Sequence, residues 1–452
     1  MSYAAALDRL HSRTAELHVA PGQPRRKFRL EEMQTLVAAL GHPEQHFRSV
    51  LIAGTNGKGS TSATLSSILL AAGYRSGLYT SPHLDRVNER IRIADTAISD
   101  TDFARHYYQV DDCAAQLISD GRLPDYPSFF ETLTALAFSA FAEASVDLAV
   151  LEVGMGGRLD ATNVVEPLLS VITDISLDHM EWLGHTIPEI AREKAGILRP
   201  NGTLVILPQH PEANQAIGEV AAGLSVRGVN AAEYVLAFTA ERHVESSTLR
   251  NRYPLTVLGQ TIQVDSPLAG THQRRNLALA IAAAVELTEH YGFRIAPGHI
   301  EAGIRQTRWP GRLERITVPG KAELLLDVAH NPAGAWALRA ALSSLDDERP
   351  RRKVLVFGCM QDKAYEEMAQ ILFPLFDLVV ATPVPSPRSA SAEEIVAAAA
   401  KTGAPTVSAR DGHEALHRAW AETSPDDRIV IAGSVYLVGE LRPLLVPVET
   451  AP

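Results

Sequence analysis

The stretch Ser49 to Ser60, Ser-Val-Leu-Ile-Ala-Gly-Thr-Asn-Gly-Lys-Gly-Ser, carries the residue types of a phosphate-binding site. Its apolar run predicts a buried strand, and Ser60 opens a helical pattern that predicts a helix ending near Gly73. Glycines between a strand and a helix N-terminus bring backbone N–H groups close to an anion, and Lys58 adds a positive charge. The alternative is a glycine-rich structural turn. A lysine flanked by glycines between strand and helix favours phosphate binding.

The loop departs from the general P-loop pattern, which has four residues between its glycines and then Gly-Lys-Ser/Thr. Here two residues separate Gly54 from Gly57, and Gly59 stands where a hydroxyl would bind Mg²⁺. The role of the lysine is therefore clear, whereas the metal ligands must come from elsewhere in the chain.

Polar residues also follow other apolar runs that predict buried strands. Three strand patterns, at 77–80, 147–153 and 168–172, end near Ser81, Glu152 and His179 respectively. The carboxyl ends of parallel strands share one edge of an open sheet, so we expect these side chains to converge near the loop. A carboxylate in an apolar strand is costly unless it is paired or binds a metal, so Glu152 is the residue of the three that most strongly suggests a functional site. These three could supply the few protein ligands that Mg²⁺ needs, although His179 alone could equally be an ordinary histidine.

Helix signals lie between the strands. Ser99 to Asp102, Ser128 to Glu131 and Thr186 to Glu189 have the pattern of capping boxes, and for Glu131 capping is a sufficient structural reason. Lys194 falls in the last turn of the third helix, where interaction with the helix dipole is the alternative to a chemical role. The basic stretch 21–27 is either a solvated loop or a lip that meets an anionic substrate.

The C-terminal third alternates strands and helices after a break at Trp309-Pro-Gly311, and it contains no second phosphate loop. The sequence thus predicts an α/β protein with two domains. An N-terminal P-loop ATPase-type domain with a mostly parallel sheet covers 1–297, a hinge covers 298–311, and a smaller Rossmann-like α/β domain covers 312–452. Asp327 and His330 follow the first strand pattern of the second domain, and Ser434 follows the last.

The bulk composition limits the function classes. The chain has 452 residues, of which 46% are hydrophobic and 21% charged, and this fits a globular protein of two or three domains. A net charge of −11 argues against nucleic acid as the partner. Two cysteines give neither a disulfide framework nor a CxxC metal pattern. Without a signal-peptide core or an apolar run of about 18 residues, we expect a cytoplasmic enzyme with no membrane partner.

The motifs together resemble the folylpolyglutamate synthase / dihydrofolate synthase family, the folate branch of the Mur ligase superfamily. Gly59 is itself the folate-branch form of the loop. The matching segments occur in family order over most of the chain: Gly54–Ser60, Ser81–Leu84, Leu151–Asn163, Leu177–His179, Arg192–Gly196, Pro310–Arg312 and Asp327–Pro332.

The resemblance implies an ATP-dependent amide ligase, in which Mg-ATP phosphorylates a carboxylate and the amine of L-glutamate attacks the acyl phosphate. It implies that ATP is held by Thr55, Asn56, Gly57, Lys58, Gly59, Ser60, Asn276, Arg312 and Asp327. It implies Mg²⁺ ligands at Ser81, Glu152 and His179, with Lys194 matching a lysine that is carbamylated in the family and helps hold a second Mg²⁺. The implied pocket for dihydropteroate or a reduced folate is Lys27, Phe28, Arg29, Leu30, Ser128, Phe129, Phe130, Glu131, Leu159, Asp160 and Ala161. His330 and Ser434 match positions linked to glutamate binding or catalysis.

Two other functions remain open. A cell-wall Mur-type ligase would carry a nucleotide-sugar domain before the loop, where 53 residues stand here. An ATP-hydrolysing switch protein would turn over ATP without a pteroate-type substrate and glutamate. Within the folate family, Leu159-Asp-Ala161 with Phe129-Phe130 resembles the bifunctional bacterial form, so we expect both activities. We also expect a monomer whose domains close before chemistry, because Arg312 and Asp327 lie across the hinge from Lys58.

Overall fold

The computed structural model describes residues 2–13, 29–236, 249–345 and 351–446. Within these ranges, two mostly parallel sheets of eight and six strands are flanked by helices, and two further strands form a hairpin. This arrangement confirms the α/β class and the presence of a second, smaller sheet. No helix in the described ranges combines the length and the apolar character that crossing a bilayer requires.

The elements of the N-terminal part begin with two helices and then alternate. In chain order they are α1 (Tyr3–Arg13), α2 (Leu30–Ala39), β1 (Arg48–Ala53), α3 (Lys58–Ala71), β2 (Ser76–Tyr79), β3 (Ile91–Ile93), β4 (Thr96–Ala97), α4 (Asp100–Ser119), α5 (Phe129–Glu143), β5 (Leu148–Glu152), β6 (Leu169–Ile172), α6 (Met180–Leu183), α7 (Ile187–Ala195), β7 (Thr203–Ile206), α8 (Pro211–Gly223), β8 (Arg227–Asn230), β9 (Asn251–Val257), β10 (Gln260–Ser266), α9 (Thr271–His290) and α10 (Pro297–Gln306).

The larger sheet places β1 at its centre. Its strand order is β4-β3-β2-β5-β1-β6-β7-β8, and the strands from β2 to β8 in that order run parallel. Val50 and Ile52 of β1 pack into one apolar core, and Leu51 and Ala53 pack into the core on the opposite face. Burial on both faces explains why this strand is a continuous apolar run rather than an alternating one.

The smaller sheet follows the hinge. Its elements are β11 (Glu314–Ile316), β12 (Glu323–Leu326), α11 (Pro332–Ser344), β13 (Lys353–Phe357), α12 (Tyr365–Leu372), β14 (Leu378–Ala381), α13 (Ala392–Ala399), β15 (Thr406–Ser408), α14 (Gly412–Ala421), β16 (Arg428–Ala432) and α15 (Val435–Leu445). The strand order is β11-β12-β16-β13-β14-β15, with β11 antiparallel to β12.

The structure refines several sequence expectations. Helix α3 begins at Lys58, two residues before the predicted start, because Gly57 at its N-cap has a positive φ of 93°. Ser99 caps α4, but the Asp102 side chain accepts from the Ser99 hydroxyl instead of the Ser99 backbone, so this capping box is incomplete. The expected hinge 298–311 includes most of α10, so the connection without regular structure begins at 307. The exact domain limits stay predictions.

Helix α15 makes a tight backbone contact with the N-terminal part of the chain. A Cβ built on Gly439 of α15 would lie 1.9 Å from the carbonyl oxygen of Leu84, which precedes β3 in the N-terminal part. Arg442 of α15 also forms a bidentate ion pair with Glu314 of β11, at 2.8 Å to Oε1 and 2.9 Å to Oε2. Helix α15 therefore lies between its own sheet and the loop that follows β2.

Helix α10 provides a matched test of packing against α3. A Cβ built on Gly303 would lie 2.4 Å from the Ile68 Cα, whereas one built on Gly298 of the same helix meets nothing within 4 Å. We expect Gly303→Ala to lower the free energy of unfolding by about 1–3 kcal/mol, because the two helix backbones must separate. Gly298→Ala should stay within about 1 kcal/mol of wild type. Thermal and urea unfolding of both variants measure the difference, and equal stabilities would contradict the packing.

Candidate active site

A cavity of about 630 Å³ lies between the two sheets. Its N-terminal wall comes from segments that follow β2, β5 and β6, together with the start of α5. Its C-terminal wall comes from segments that follow β12, β13 and β16. Predicted residues that line it are Gly59, Ser81, Ser128, Phe129, Phe130, Glu131, Glu152, Asp160, Ala161, His179, Arg312, His330 and Ser434.

Gly59 of the phosphate loop lines this cavity, and backbone hydrogen bonds to the segment after β6 hold the loop in place. The N–H groups of Thr55 and Asn56 donate to the Asp174 carbonyl at 2.9 and 3.3 Å. The Lys58 ammonium donates to the carbonyls of Gly54 and Thr55 at 3.1 and 3.2 Å. The lysine thus folds over its own loop, where its charge lies beside the helix N-terminus that would receive an anion.

Two side chains press on this loop from outside. A Cβ on Gly57 would lie 2.2 Å from Asn276 Oδ1, and a Cβ on Gly59 would lie 2.7 Å from Cζ2 of Trp309. Asn276 therefore reaches the loop, as its assignment to the ATP site requires. Trp309 was noted in the sequence only as part of a break, and the structure places its ring over Gly59.

Glu152 ends β5 and is 4% exposed. Its Oε2 accepts from the Ser81 backbone N–H at 3.3 Å. Burial raises the pKa of Glu152 to about 7, while the charges of Lys58 and Arg312 act in the opposite direction. A cation beside this carboxylate would offset the cost of burying its charge, so the site fits a divalent metal.

His179 lies next to Asp178 after β6, with a positive φ of 50°. Burial lowers the pKa of His179 to about 4, so at neutral pH its ring is uncharged and can act as a metal ligand. Burial raises the pKa of Asp178, but His330 and Lys363 lower it by more, and the carboxylate stays charged. The Lys363 ammonium contacts Asp178 Oδ1 at 2.6 Å.

Lys194 points inward from α7. It is 5% exposed, and its ammonium donates to the Gly54 carbonyl at 2.7 Å. Burial, followed by repulsion from Lys58, lowers the pKa of Lys194 to about 7. The alternative of a surface lysine that only complements the helix dipole is wrong, because the side chain reaches the phosphate loop instead.

Arg312 and Asp327 belong to the C-terminal side of the hinge. Arg312 lines the cavity, and its guanidinium donates to the Gly311 carbonyl at 3.2 Å. The Asp327 carboxylate accepts from the backbone N–H groups of Leu313 and Ala329, both at 2.9 Å. Asp327 therefore ties the segment that carries Arg312 to the end of β12.

The start of α5 forms the wall assigned to the pteroate group. Ser128 and Glu131 make the predicted capping box, in which Glu131 Oε2 accepts from the Ser128 N–H at 2.7 Å. The ring of Phe130 packs against Gly154, where a Cβ would lie 2.5 Å from Cζ. Asp160 turns its carboxylate to loop N–H groups, including that of Met155 at 3.0 Å.

Some residues assigned to this pocket are not brought to it. Arg29, Leu30 and Leu159 are absent from the lining that the described residues provide. Lys27 and Phe28 lie outside the described residues, so their assignment stays a prediction.

The two residues linked to glutamate lie on the opposite wall. His330 Nδ1–H donates to the Val328 carbonyl at 2.9 Å, so in the neutral ring Nε2 is the acceptor. That Nε2 lies 3.8 Å from Asp178 Oδ2. Ser434 is the N-cap of α15, and its hydroxyl accepts from the Tyr436 N–H at 3.1 Å.

Sequence reasoning missed several residues of this site. Lys363 follows β13, so the rule that selected residues at strand ends could have found it. Asp178 lies in the segment Leu177–His179, from which only the histidine was selected as a site residue. Arg90 is a different case, because it is buried, lines the cavity and donates to His83 Nδ1 at 2.9 Å, yet no spacing marks it.

Known proteins match both parts of the chain. The Mur ligase middle domain matches residues 115–284, and the glutamate ligase domain of Mur ligases matches residues 311–435. The chain is 36% identical over 448 residues to the dihydrofolate synthase/folylpolyglutamate synthase of Mycobacterium tuberculosis, a match covering 92% of this chain and 89% of that protein.

Two further matches differ in extent. A probable bifunctional folylpolyglutamate synthase/dihydropteroate synthase of Halobacterium salinarum is 37% identical, and the match covers 91% of this chain but 49% of that protein. The chain therefore spans about half the length of that relative. The structure of Escherichia coli FolC in complex with DHPP and ADP superposes with a TM-score of 0.80 at 28% identity, covering 98% of this chain and 97% of the other.

The two Mur ligase domains, the long matches and the superposition agree with the sequence motifs: this chain belongs to the folylpolyglutamate synthase / dihydrofolate synthase family of Mur ligases.

Proposed function

We propose that the cavity is where this chain uses ATP to join L-glutamate to dihydropteroate and to reduced folates, through an acyl phosphate. The observation that carries the proposal is the lining of the cavity, in which Gly59 of the phosphate loop and the buried Glu152 lie opposite His330 and Ser434. Its volume of about 630 Å³ lies in the range of sites for small organic ligands. The DHPP and ADP bound by the Escherichia coli relative support the same pair of ligands here.

The charges of the site suit phosphoryl transfer to a carboxylate. Lys58 and Arg312 are cations from opposite sides of the hinge, and both lie near the carboxylate of Glu152. Negative charge spreads over the phosphoryl oxygens in the transition state, so these two cations stabilise it more than they stabilise the substrates. Thr55 and Asn56 fix the loop on the Asp174 carbonyl, and Asn276 supports it at Gly57. Closure of the two sides excludes water, which would otherwise hydrolyse the acyl phosphate.

His330 has the geometry of a base for the incoming amine. Its Nδ1–H is fixed on the Val328 carbonyl, and Nε2 can accept a proton from the glutamate ammonium. Asp178 is close enough to stabilise the resulting imidazolium. Ser434, at the N-terminus of α15, is placed to receive a glutamate carboxylate.

Ser81, Glu152 and His179 would hold Mg²⁺, which supplies Lewis-acid stabilisation of the phosphate oxygens when bound. The support comes from Glu152, a buried carboxylate whose pKa is raised to about 7, and from the uncharged ring of His179. These side chains would take the place of the hydroxyl ligand that Gly59 cannot provide.

Replacing Glu152 by Gln tests the metal assignment. We expect Glu152→Gln to lower Mg²⁺-dependent kcat by at least about 100-fold, because the amide cannot neutralise the cation. The melting temperature should stay close to that of wild type, since the amide keeps the shape of the side chain. Glu143→Gln, at an exposed position of α5, is the control and should keep normal activity. Near-normal turnover by Glu152→Gln would exclude Glu152 as a ligand.

Lys194 has the environment that carbamylation requires. A neutral amine attacks CO₂, and a pKa of about 7 leaves most of Lys194 neutral at pH 8. The product carbamate would be an anion close to Lys58 and could help hold a second Mg²⁺.

Electron density from crystals grown at pH 8 with bicarbonate measures this modification directly. We expect density for the additional carboxylate on Nζ of Lys194, and none on Lys363, which forms an ion pair with Asp178. An unmodified Lys194 that still contacts the Gly54 carbonyl would contradict carbamylation.

Two acceptors distinguish the bifunctional enzyme from a single-activity form. We expect dihydropteroate and tetrahydrofolate, supplied separately with ATP and radiolabelled glutamate, each to give a labelled product. Reactions without an acceptor are the control. Incorporation with only one acceptor would contradict bifunctionality, whereas full ATP turnover without any acceptor would favour a switch protein. Incorporation into a nucleotide-sugar acceptor instead would indicate a cell-wall ligase. The cytoplasmic location and the monomeric state stay predictions.

A further inference from the structure

Asn331 is a polar side chain of the C-terminal part that bonds both to the phosphate loop and to Asp178, the residue before His179. It is 2% exposed and lies between the two sheets at the start of α11. Its Nδ2 donates to Asn56 Oδ1 at 3.0 Å, and Asn56 Nδ2 lies 3.4 Å from Asn331 Oδ1, so the two amides pair reciprocally. None of the roles assigned above uses this residue.

The same amide makes two further contacts. Its Nδ2 also donates to Asp178 Oδ2 at 3.2 Å, on the residue next to His179. Its Oδ1 accepts from the Gly334 N–H at 2.8 Å and so caps α11. The buried side chain of Asn331 thus connects the phosphate loop, Asp178 and helix α11 of the C-terminal domain.

Asn331 is also next to His330, the proposed base. The cap fixes Asn331 on α11, and the pair with Asn56 fixes Asn56 relative to that helix. The distance between the loop and His330 is therefore set through this amide whenever the domains are closed. Misplacement of reacting groups by about 1 Å costs about 100-fold in rate, so such a connection has kinetic consequences.

We propose that Asn331 is a positioning residue that couples the phosphate loop to the glutamate side of the cavity during ligation. This inference rests on the proposed function. Asn331 holds Asn56 and Asp178 in register with His330, and it does not itself contact the reacting atoms.

Asn331→Ser separates positioning from helix capping. Serine is a good N-cap, so it keeps the bond from the Gly334 N–H but cannot reach Asn56 and Asp178. We expect kcat for ligation to fall by about 10- to 100-fold, while the Kd of ATP from equilibrium binding changes by less than about threefold. The melting temperature should match that of Asp411→Ser, a control that alters the N-cap of α14 away from the cavity and should keep wild-type kcat.

A double-mutant cycle with Asn56→Ser gives a readout that a purely structural role would not produce. If the two amides act as one connection, Asn331→Ser should add little to the loss already caused by Asn56→Ser. Wild-type kcat in Asn331→Ser, or fully additive losses in the double variant, would overturn the inference. Failure of the wild-type protein to incorporate glutamate would instead overturn the proposed function, so the two failures are distinguishable.

Discussion

The glycine positions of the phosphate loop have no room for side chains, and the rest of the site depends on this crowding. Thr173 lies against Gly54, Asn276 against Gly57 and Trp309 against Gly59, each closer to a built Cβ than atoms can approach. A hydroxyl side chain at 59, as in the general P-loop pattern, would collide with the indole of Trp309. The loop is therefore restricted to phosphate binding through its backbone and Lys58. In the proposed function, neighbouring strand ends would hold the ion, and the buried Glu152 lies at one of them.

The second consequence concerns charge. Glu152 and Lys194 are buried near the same loop with pKa values displaced towards 7, one upwards and one downwards. Each would be costly in an apolar core, and each becomes useful when a divalent ion and phosphates bring compensating charge. The parallel sheet makes this possible because its central strands end together, and the low-dielectric surroundings strengthen every electrostatic interaction once ligands are bound.

Much of this arrangement could be predicted from the sequence where local signals are strong. The capping boxes that open α5 and α7 were predicted correctly, and β1 was predicted as a buried strand from its apolar run. The strands β11 and β15 were not predicted, because three residues at a sheet edge leave no periodic pattern. At the site, Glu152 could be predicted because it lies at the end of a strand. The contact of Lys194 with Gly54 could not, because it depends on how α7 packs against the loop and no residue spacing indicates this packing.

For Asp327, the family motif and the structure indicate two different roles. The resemblance places it on ATP, while each of its carboxylate oxygens accepts one backbone N–H, from Leu313 or Ala329. Each oxygen retains a second lone pair, so both roles are compatible. The backbone bonds also attach the Arg312 segment to β12, so any movement of the C-terminal sheet would carry Arg312 with it. In the proposed function, a nucleotide bound by Asp327 would therefore be held by the same part of the chain that carries Arg312.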